Sequence, residues 1–191
     1  MALKYALLGF LNLKPLSGYE LKRSFDNSIN HFWNAKQSQI YRELKHMEQN
    51  GLITSETIET DHGLNKKLYH LTNKGKKELK HWLKTPLDIE QDRIPFLIQI
   101  FFSAANTKQD VITLLNKRKE AHEQNIAQLE NMKKQLHQQK KTVEYDEKNI
   151  DFADITLDLG IRSEHLILEW IDDTIQRVNA MDKDKQSGTK K

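Results

Sequence analysis

Hydrogen-bonding side chains recur at helical spacing in one short stretch of the chain, residues 36–49. Ser38, Arg42 and Lys45 are separated by four and three residues, which places them on one face of a helix. The opposite face carries the apolar residues Ile40, Leu44 and Met47. Arginine and other polar side chains on such a face recognise base edges and phosphates, so one face would pack while the other reads a DNA groove.

Particular roles follow from the position of each side chain on this helix. We predict that Ser38, Gln39 and Arg42 reach base edges, and that Tyr41 reaches a phosphate or a thymine methyl group. Lys36 and Lys45 are predicted to meet phosphates. Tyr41 has an alternative, which is to pack beneath a neighbouring hairpin. For the whole stretch, the alternative is an ordinary amphipathic surface helix with solvated charges.

Local signals predict where this helix begins and ends. Asn34 is the predicted N-cap, with Gln37 three residues later. Asn50-Gly51 supplies the left-handed stop before the apolar Leu52 and Ile53. The helix is therefore expected to be short.

Two helices are predicted before this stretch. Apolar residues at helical spacing predict a first helix over residues 2–13, which Pro15 ends. Ser17 and Glu20 form a capping box that opens a second helix, whose Leu21 and Phe25 point inward. An aromatic connector, residues 31–33, leads to the third helix.

A hairpin and a fourth helix are predicted after it. Residues 52–60 and 66–72 have strand character, and residues 61–65 have turn chemistry. Lys66 and Lys67 would contact the DNA backbone or the adjacent minor groove from this wing. Thr72 is expected to cap a fourth helix with Leu79, Trp82 and Leu83 inward, until Pro86 stops it. Residues 1–85 are thus predicted to form a winged helix-turn-helix DNA-binding domain.

The remainder of the chain is predicted to be almost wholly helical. Residues 86–95 look like a linker, and residues 96–102 are apolar enough to form a buried helix. A long helix opens at Thr107 with Asp110, and a last helix runs over residues 155–181. The residues of the long helix that are predicted to point inward are Ile112, Leu115, Ile126, Leu129, Met132 and Leu136. Residues 182–191 lack apolar side chains and are expected to be a disordered tail.

The helical part, residues 96–181, is predicted to be a dimerisation domain, so the fold class is mainly α. The last helix is apolar around more than half of its circumference, which is too much for one antiparallel partner to cover. A second copy would bury the excess and would double the DNA sequence that is read. We therefore predict an obligate homodimer, the alternative being a monomeric hairpin packed on its own N-terminal domain.

Composition excludes several other classes of protein. The chain has no cysteine, which excludes disulfides and thiolate chemistry and fits the cytoplasm. No apolar run approaches the length of a membrane span, and the N-terminus does not read as a secretion signal. Residues 1–84 hold 14 Lys and Arg against 8 Asp and Glu, so the positive charge lies with the candidate reading helix.

No pattern of catalytic or metal-binding residues is present, so neither an enzyme nor a cofactor is expected. The chain lacks a glycine-rich phosphate loop, a His-Glu-x-x-His sequence and a nucleophile elbow. Helical periodicity places the carboxylates of the last helix in solvent rather than at a metal site. These carboxylates are Asp151, Asp154, Asp158, Asp172 and Asp173.

Several segments together resemble the PadR family of bacterial transcriptional regulators. They are Tyr5-Ala6-Leu7-Leu8-Gly9, Leu16-Ser17-Gly18-Tyr19-Glu20-Leu21, Phe32-Trp33, Ser38-Gln39-Ile40-Tyr41-Arg42-Glu43-Leu44, Gly51-Leu52-Ile53 and Tyr69-His70-Leu71-Thr72-Asn73-Lys74-Gly75. The resemblance implies a dimeric repressor of detoxification genes, including those for phenolic acid decarboxylases. Such proteins typically bind inverted repeats and release them when a small molecule binds. The C-terminal part looks like the branch with a separate helical dimerisation domain.

A small aromatic effector is one expectation that follows, and we place its site at the seam between the domains. Aromatic candidates for contacting it are Trp33, Phe96 and Trp170, and candidates for pairing with a carboxylate are Arg93, Arg162, His165 and His31. Each of them has a structural role as its alternative. For the whole chain, the alternative function is a helical scaffold without specific DNA binding, which would not bind a duplex.

Overall fold

The computed structural model describes residues 2–59, 65–89, 93–139 and 147–181. The chain divides into two compact units, residues 1–89 and 90–191. The predicted turn at residues 61–65 lies outside the described residues except for Asn65, as does the predicted tail, residues 182–191. Within the described ranges, no helix has both the length and the apolar character that crossing a membrane requires.

The first unit combines four helices with a small antiparallel sheet, which confirms the predicted fold class. Its elements are α1 (Ala2–Leu13), β1 (Leu16–Ser17), α2 (Gly18–Asp26), α3 (Gln37–Gln49), β2 (Ile53–Glu59), β3 (Asn65–Leu71) and α4 (Asn73–Trp82). The strand order is β1-β3-β2. The hairpin register runs from Ile53 opposite Leu71 to Glu59 opposite Asn65. The short strand β1 was not predicted, because two residues are too few to show alternation.

The core of this unit is formed by one apolar face of each helix and by the base of the hairpin. Leu7, Leu21, Phe25, Ile40 and Leu44 are completely buried. The predicted capping box of α2 is present, since the Glu20 amide donates to Ser17 Oγ and Glu20 Oε2 accepts from the Ser17 amide. This box orients α2 so that Leu21 and Phe25 point into the core.

Three local predictions in this unit have different outcomes. Gly51 has φ +67°, so the predicted left-handed stop after α3 is confirmed. The N-cap of α3 is Lys36 and not Asn34, because the buried Ala35 and the extended Lys36 precede the first helical residue. Leu83 is exposed, contrary to prediction, because α4 ends at Trp82. Trp82 is half-buried and stacks on Tyr5.

The second unit is built from helices. They are α5 (Pro95–Phe101), a 3-10 turn (Ser103–Ala105), α6 (Lys108–Gln139) and α7 (Glu147–Ala180). Thr107 and Asp110 form the predicted cap of α6, in which each side chain accepts from the backbone amide of the other. The last helix begins eight residues before the predicted Ile155, because Ile150 also packs between the long helices and is buried.

Packing in the second unit differs from the prediction in one respect. Leu115 and Leu129 are buried, and the other predicted inward residues of α6 are half-buried. In α5, however, only Phe96 is buried, whereas the prediction had residues 96–102 as a buried helix. A helix of seven residues covers one face against a neighbour, so its other apolar side chains remain exposed within a single chain.

Candidate nucleic-acid interface

The polar face of α3 is exposed as the spacing predicts. Ser38, Arg42 and Lys45 lie in solvent, while Ile40, Leu44 and Met47 on the opposite face are at most 1% exposed. Among the described residues, the side chains of Arg42 and Lys45 have no hydrogen-bond or ion-pair partner. The burial of one face therefore fixes the helix and leaves these two cations available to an anionic ligand.

Gln39 has a structural contact at the beginning of the same helix. Its Oε1 atom accepts a hydrogen bond of 2.8 Å from the backbone amide of Lys36. This contact satisfies one of the amide groups that a helix N-terminus leaves without a partner. The Gln39 side-chain NH₂ group remains a donor, so reading of a base by Gln39 stays a prediction.

The ring of Tyr41 lies against the beginning of α2. A Cβ atom added at Gly18 would lie 2.6 Å from Tyr41 Cε1, so only glycine fits at position 18 without displacing the ring. Tyr41 is still 42% exposed. Its contact with DNA stays a prediction, and the structure shows that the ring also packs on α2.

Lys66 forms an ion pair that links β3 to the beginning of α2. Its Nζ atom lies 2.8 Å from Glu20 Oε1, while Glu20 Oε2 takes part in the cap with Ser17. Burial raises the pKa of Glu20, but the hydrogen bonds from Lys66 and Ser17 outweigh burial and lower this pKa to about 2. The wing is thus connected to α2 by a carboxylate that stays ionised at neutral pH.

Lys67 forms a second ion pair, which links β3 to the end of α3. Its Nζ atom lies 2.9 Å from Glu48 Oε2, and Glu48 Oε1 accepts from the hydroxyl of Ser55 on β2. The hydrogen bonds from Ser55 and then Lys67 lower the pKa of Glu48. The same contact raises the pKa of Lys67. Phosphate contacts by Lys66 and Lys67 remain predictions, to which the structure adds these carboxylate partners.

Sequence reasoning did not single out Glu20 and Glu48 as partners of the wing lysines. Glu20 was identified only as a capping residue, and Glu48 was not identified at all. The two ion pairs join residues 46 and 19 positions apart, so helical or strand periodicity contains no signal for them. These groups come together because β3 pairs with β1, beside the beginning of α2, and with β2, which follows α3.

The predicted effector residues are only partly brought together. Phe96 and Trp170 have ring centroids 6.2 Å apart, with an interplanar angle of 81°. The Arg118 guanidinium lies 4.2 Å from the centre of the Phe96 ring, a neighbour that sequence reasoning missed. The buried position of Phe96 and the arginine beside it make this the best-defined aromatic cluster among the predicted residues.

The other candidates have different environments. Arg162 is paired with Asp158 at 2.6 Å, and Arg93 and His165 are exposed. Trp33 is 38% exposed and belongs to the first unit. His31 is in the same unit, and its Nδ1 atom lies 2.9 Å from the carbonyl oxygen of Ser28.

Several carboxylates of α7 have cationic neighbours. Asp154 lies 2.8 Å from His137 Nε2 and 3.5 Å from Lys133 Nζ, and Asp172 lies 2.6 Å from Lys119 Nζ. Across the described ranges, no group of three or more His, Asp or Glu side chains is arranged to hold a metal ion. Asp154, Asp158 and Asp172 therefore have ion-pair roles in this structure.

Family comparisons cover both units. The family described as Transcriptional regulator PadR-like matches residues 7–81, and the family described as Virulence activator alpha C-term matches residues 93–179. The Negative transcriptional regulator PadR of Bacillus subtilis is 30% identical over 178 residues, which are 93% of this chain and 97% of that protein.

Solved structures agree with this assignment. The crystal structure of Bacillus subtilis PadR in complex with operator DNA has a TM-score of 0.80 at 27% identity, covering 93% of this chain and 99% of that one. The structure of the same protein in complex with p-coumaric acid has a TM-score of 0.76 at 28% identity, covering 94% and 99%. The matching families, the full-length similarity and the exposed face of α3 together show that this chain belongs to the PadR-like family of transcriptional regulators.

Proposed function

We propose that this protein is a homodimeric transcriptional repressor that binds an inverted-repeat operator in the cytoplasm and releases it on binding a small aromatic effector. The observation that carries the proposal is the exposed face of α3, whose Arg42 and Lys45 have no partner among the described residues. Residues 1–85 are the DNA-binding domain, residues 86–95 the linker and residues 96–181 the dimerisation domain.

The DNA contacts are divided between specificity and affinity. Ser38, Gln39 and Arg42 read base edges in the major groove, since they lie on the first turns of α3. Lys36, Lys45 and the wing lysines add phosphate contacts, which depend on salt. Tyr41 adds its hydroxyl from the edge of the same face. The Bacillus subtilis relative has been solved in complex with operator DNA, which supports DNA binding as the role of this domain.

Dimerisation is supported by the apolar side chains that the second unit leaves exposed. In α5 and directly after it, Leu97, Ile98, Phe101 and Phe102 are between 46% and 81% exposed. In α7, Phe152, Ile155, Leu159 and Leu166 are between 62% and 70% exposed. Monomeric proteins rarely leave this many large apolar side chains in water, and a second copy presents the same surfaces on a twofold axis.

An aromatic acid is the effector class that fits the second unit. Phe96 and Trp170 provide aromatic faces, and Arg118 provides a cation beside them. The p-coumaric acid complex of the relative supports this class. The candidates Trp33, Arg93, Arg162 and His165 remain proposals of lower rank, because Trp33 belongs to the first unit and the other three side chains are exposed. Release of DNA requires that the effector bind the DNA-incompetent conformation more tightly.

The test measures binding of a fluorescent duplex that carries the inverted repeat from the protein's own upstream region. We expect salt-sensitive binding that prefers this duplex over a scrambled one. Arg42→Ala should reduce the preference roughly 5- to 150-fold, the range for loss of one bidentate base contact. Arg177→Ala is the matched control, because Arg177 is an exposed arginine of α7. Absence of any binding by the wild type at low ionic strength would favour the helical scaffold instead.

A further inference from the structure

We propose that Glu48 is a positioning residue for DNA recognition, which holds the wing in a fixed place relative to the recognition helix α3. Glu48 lies in the last turn of α3, and its two carboxylate oxygens contact two different strands. Oε1 accepts from the hydroxyl of Ser55 on β2, and Oε2 lies 2.9 Å from Lys67 Nζ on β3. One side chain thereby joins the recognition helix to both strands of the wing.

Polar links are needed at this place because apolar packing fixes only the base of the hairpin. Ile53 and Tyr69 are buried near the base. Farther along β2, every residue from Glu56 to Glu59 is exposed, and the opposite residues of β3 are exposed or half-buried. Only two ion pairs from this outer part of β3 to the helices are seen in the described chain, Lys67 to Glu48 and Lys66 to Glu20.

The position of the wing matters because one duplex must meet α3 and the wing together. The groove and the adjacent backbone have a fixed separation, so a wing held beforehand loses less conformational freedom on binding. Lys67 has three N–H donors, so its bond to Glu48 leaves others for a phosphate. If Glu48 acted only through its charge, it would repel DNA, and neutralising it would strengthen binding. If Glu48 positions the wing, neutralising it should weaken binding.

This inference rests on the proposed DNA binding through α3, and its experiment compares two neutralised carboxylates. Glu48→Gln removes the partner of Lys67, while Glu56→Gln removes the same charge from β2, where Glu56 contacts His70 rather than α3. Affinities for the operator duplex and a scrambled duplex are measured by fluorescence anisotropy. We expect Glu48→Gln to lower the operator preference roughly two- to fivefold, the size typical of an exposed ion pair. Glu56→Gln should raise the affinity for both duplexes slightly and equally.

The inference is overturned if Glu48→Gln also raises the affinity for both duplexes equally. This outcome differs from failure of the proposed function, in which the wild type itself shows no preference for the operator duplex. A charge reversal provides a second test that does not depend on glutamine being tolerated. Lys67→Glu alone should lower both the affinity, because a phosphate contact is lost, and the operator preference. Adding Glu48→Lys should restore the preference, but not the affinity, to within about twofold of the wild type. If the double variant behaves like Lys67→Glu alone, Glu48 has no positioning role.

Discussion

The two units of this chain bury their apolar side chains to very different extents. In the first unit, fourteen buried residues form one core cluster supplied by all four helices and the sheet. In the second unit, the corresponding cluster has four, Phe96, Val111, Leu115 and Ile171. The second unit also leaves large side chains of α5 and α7 in solvent. The first unit therefore has a closed core within one chain, and the second does not.

The difference teaches that the stability of the two units has different sources. A closed core stabilises the DNA-binding unit whatever its oligomeric state. A pair of long helices with an uncovered apolar face gains stability when a second copy covers that face, so its stability should depend on protein concentration. Substitutions in the two units should consequently change different observables.

The largest expected effect is that of a cavity in the closed core of the first unit. Phe25 is completely buried, so Phe25→Ala should lower the free energy of unfolding of this unit by about 3–5 kcal/mol. DNA binding should be lost on mild heating, while the mass of the proposed dimer in sedimentation equilibrium stays unchanged. Leu13→Ala is the control, because Leu13 is exposed and should cost less than about 1 kcal/mol. Loss of the dimer in Phe25→Ala would show that the units are not independent.

The second effect concerns the uncovered face of α7. Leu159 and Leu166 are one heptad apart and are 68% and 66% exposed. Leu159→Asp with Leu166→Asp should raise the dissociation constant of the proposed dimer about 100-fold or more, because two carboxylates in each subunit would be buried in the interface. Sedimentation velocity over a range of concentrations measures this change.

Gln124→Asp with Gln135→Asp is the matched control for that variant. It adds the same charge at exposed polar positions of α6 and should leave the dimer intact. If the leucine variant also remains a dimer at micromolar concentration, another surface forms the interface.

Much of the first unit could be predicted because its signals are local. Ser17 and Glu20 are three residues apart, and Gly51 directly follows the last turn of α3. Helical spacing also predicted the buried and exposed faces of α3. The N-cap was assigned to Asn34 rather than Lys36, because burial of Ala35 is a tertiary effect that capping preferences do not contain.

Other parts of the fold and the site depend on contacts between distant segments. Ile150 in the first turn of α7 is buried, and this burial depends on tertiary packing that periodicity within the helix does not contain. The links of Glu48 and Glu20 to the wing depend on the pairing of β3 with β2 and with β1. The cation beside Phe96 is Arg118, which is 22 positions later in the sequence, and no spacing rule relates the two.

A third prediction concerns a polar pair that is buried in the second unit, whereas the core of the first unit is built from apolar side chains. His122 is 9% exposed, and its Nδ1 atom donates to Glu164 Oε2 between α6 and α7. Glu164→Ala should lower the free energy of unfolding by about 1–3 kcal/mol, because the His122 donor is left buried without a partner. Equilibrium urea unfolding at fixed protein concentration measures the change.

A double substitution sharpens this test. His122→Leu with Glu164→Leu should be close to the wild type or more stable, because apolar side chains replace both polar groups. Asp172→Ala is the control, since its pair with Lys119 is largely in solvent and its loss should cost less stability than that of Glu164. Equal costs for Glu164→Ala and Asp172→Ala would show that burial does not strengthen the first pair.

The smallest expected effect is the pH dependence that Glu20 gives to the first unit. The pKa of Glu20 is about 2 in the folded protein, against an ordinary value of 4.5. A lowered folded pKa means that the unfolded chain takes up the proton first, so this stabilisation is complete above pH 4.5 and is lost as the pH falls toward 2. Because the side chain is 39% exposed, solvent screening reduces the contribution to about 1 kcal/mol.

Glu20→Gln tests this dependence. At pH 7 the variant should be less stable than the wild type by that amount, and the difference should shrink as the pH is lowered from 5 to 3. Urea unfolding of the first unit, detected through hydrogen exchange of the α2 amides, gives the difference in stability at each pH. Asp26→Asn is the control, because Asp26 pairs with Lys22 on the surface of the same helix without joining another element. A difference between Glu20→Gln and the wild type that is the same at every pH would mean that the amide disturbs the cap itself, and that the charge of Glu20 adds nothing to the link between α2 and the wing.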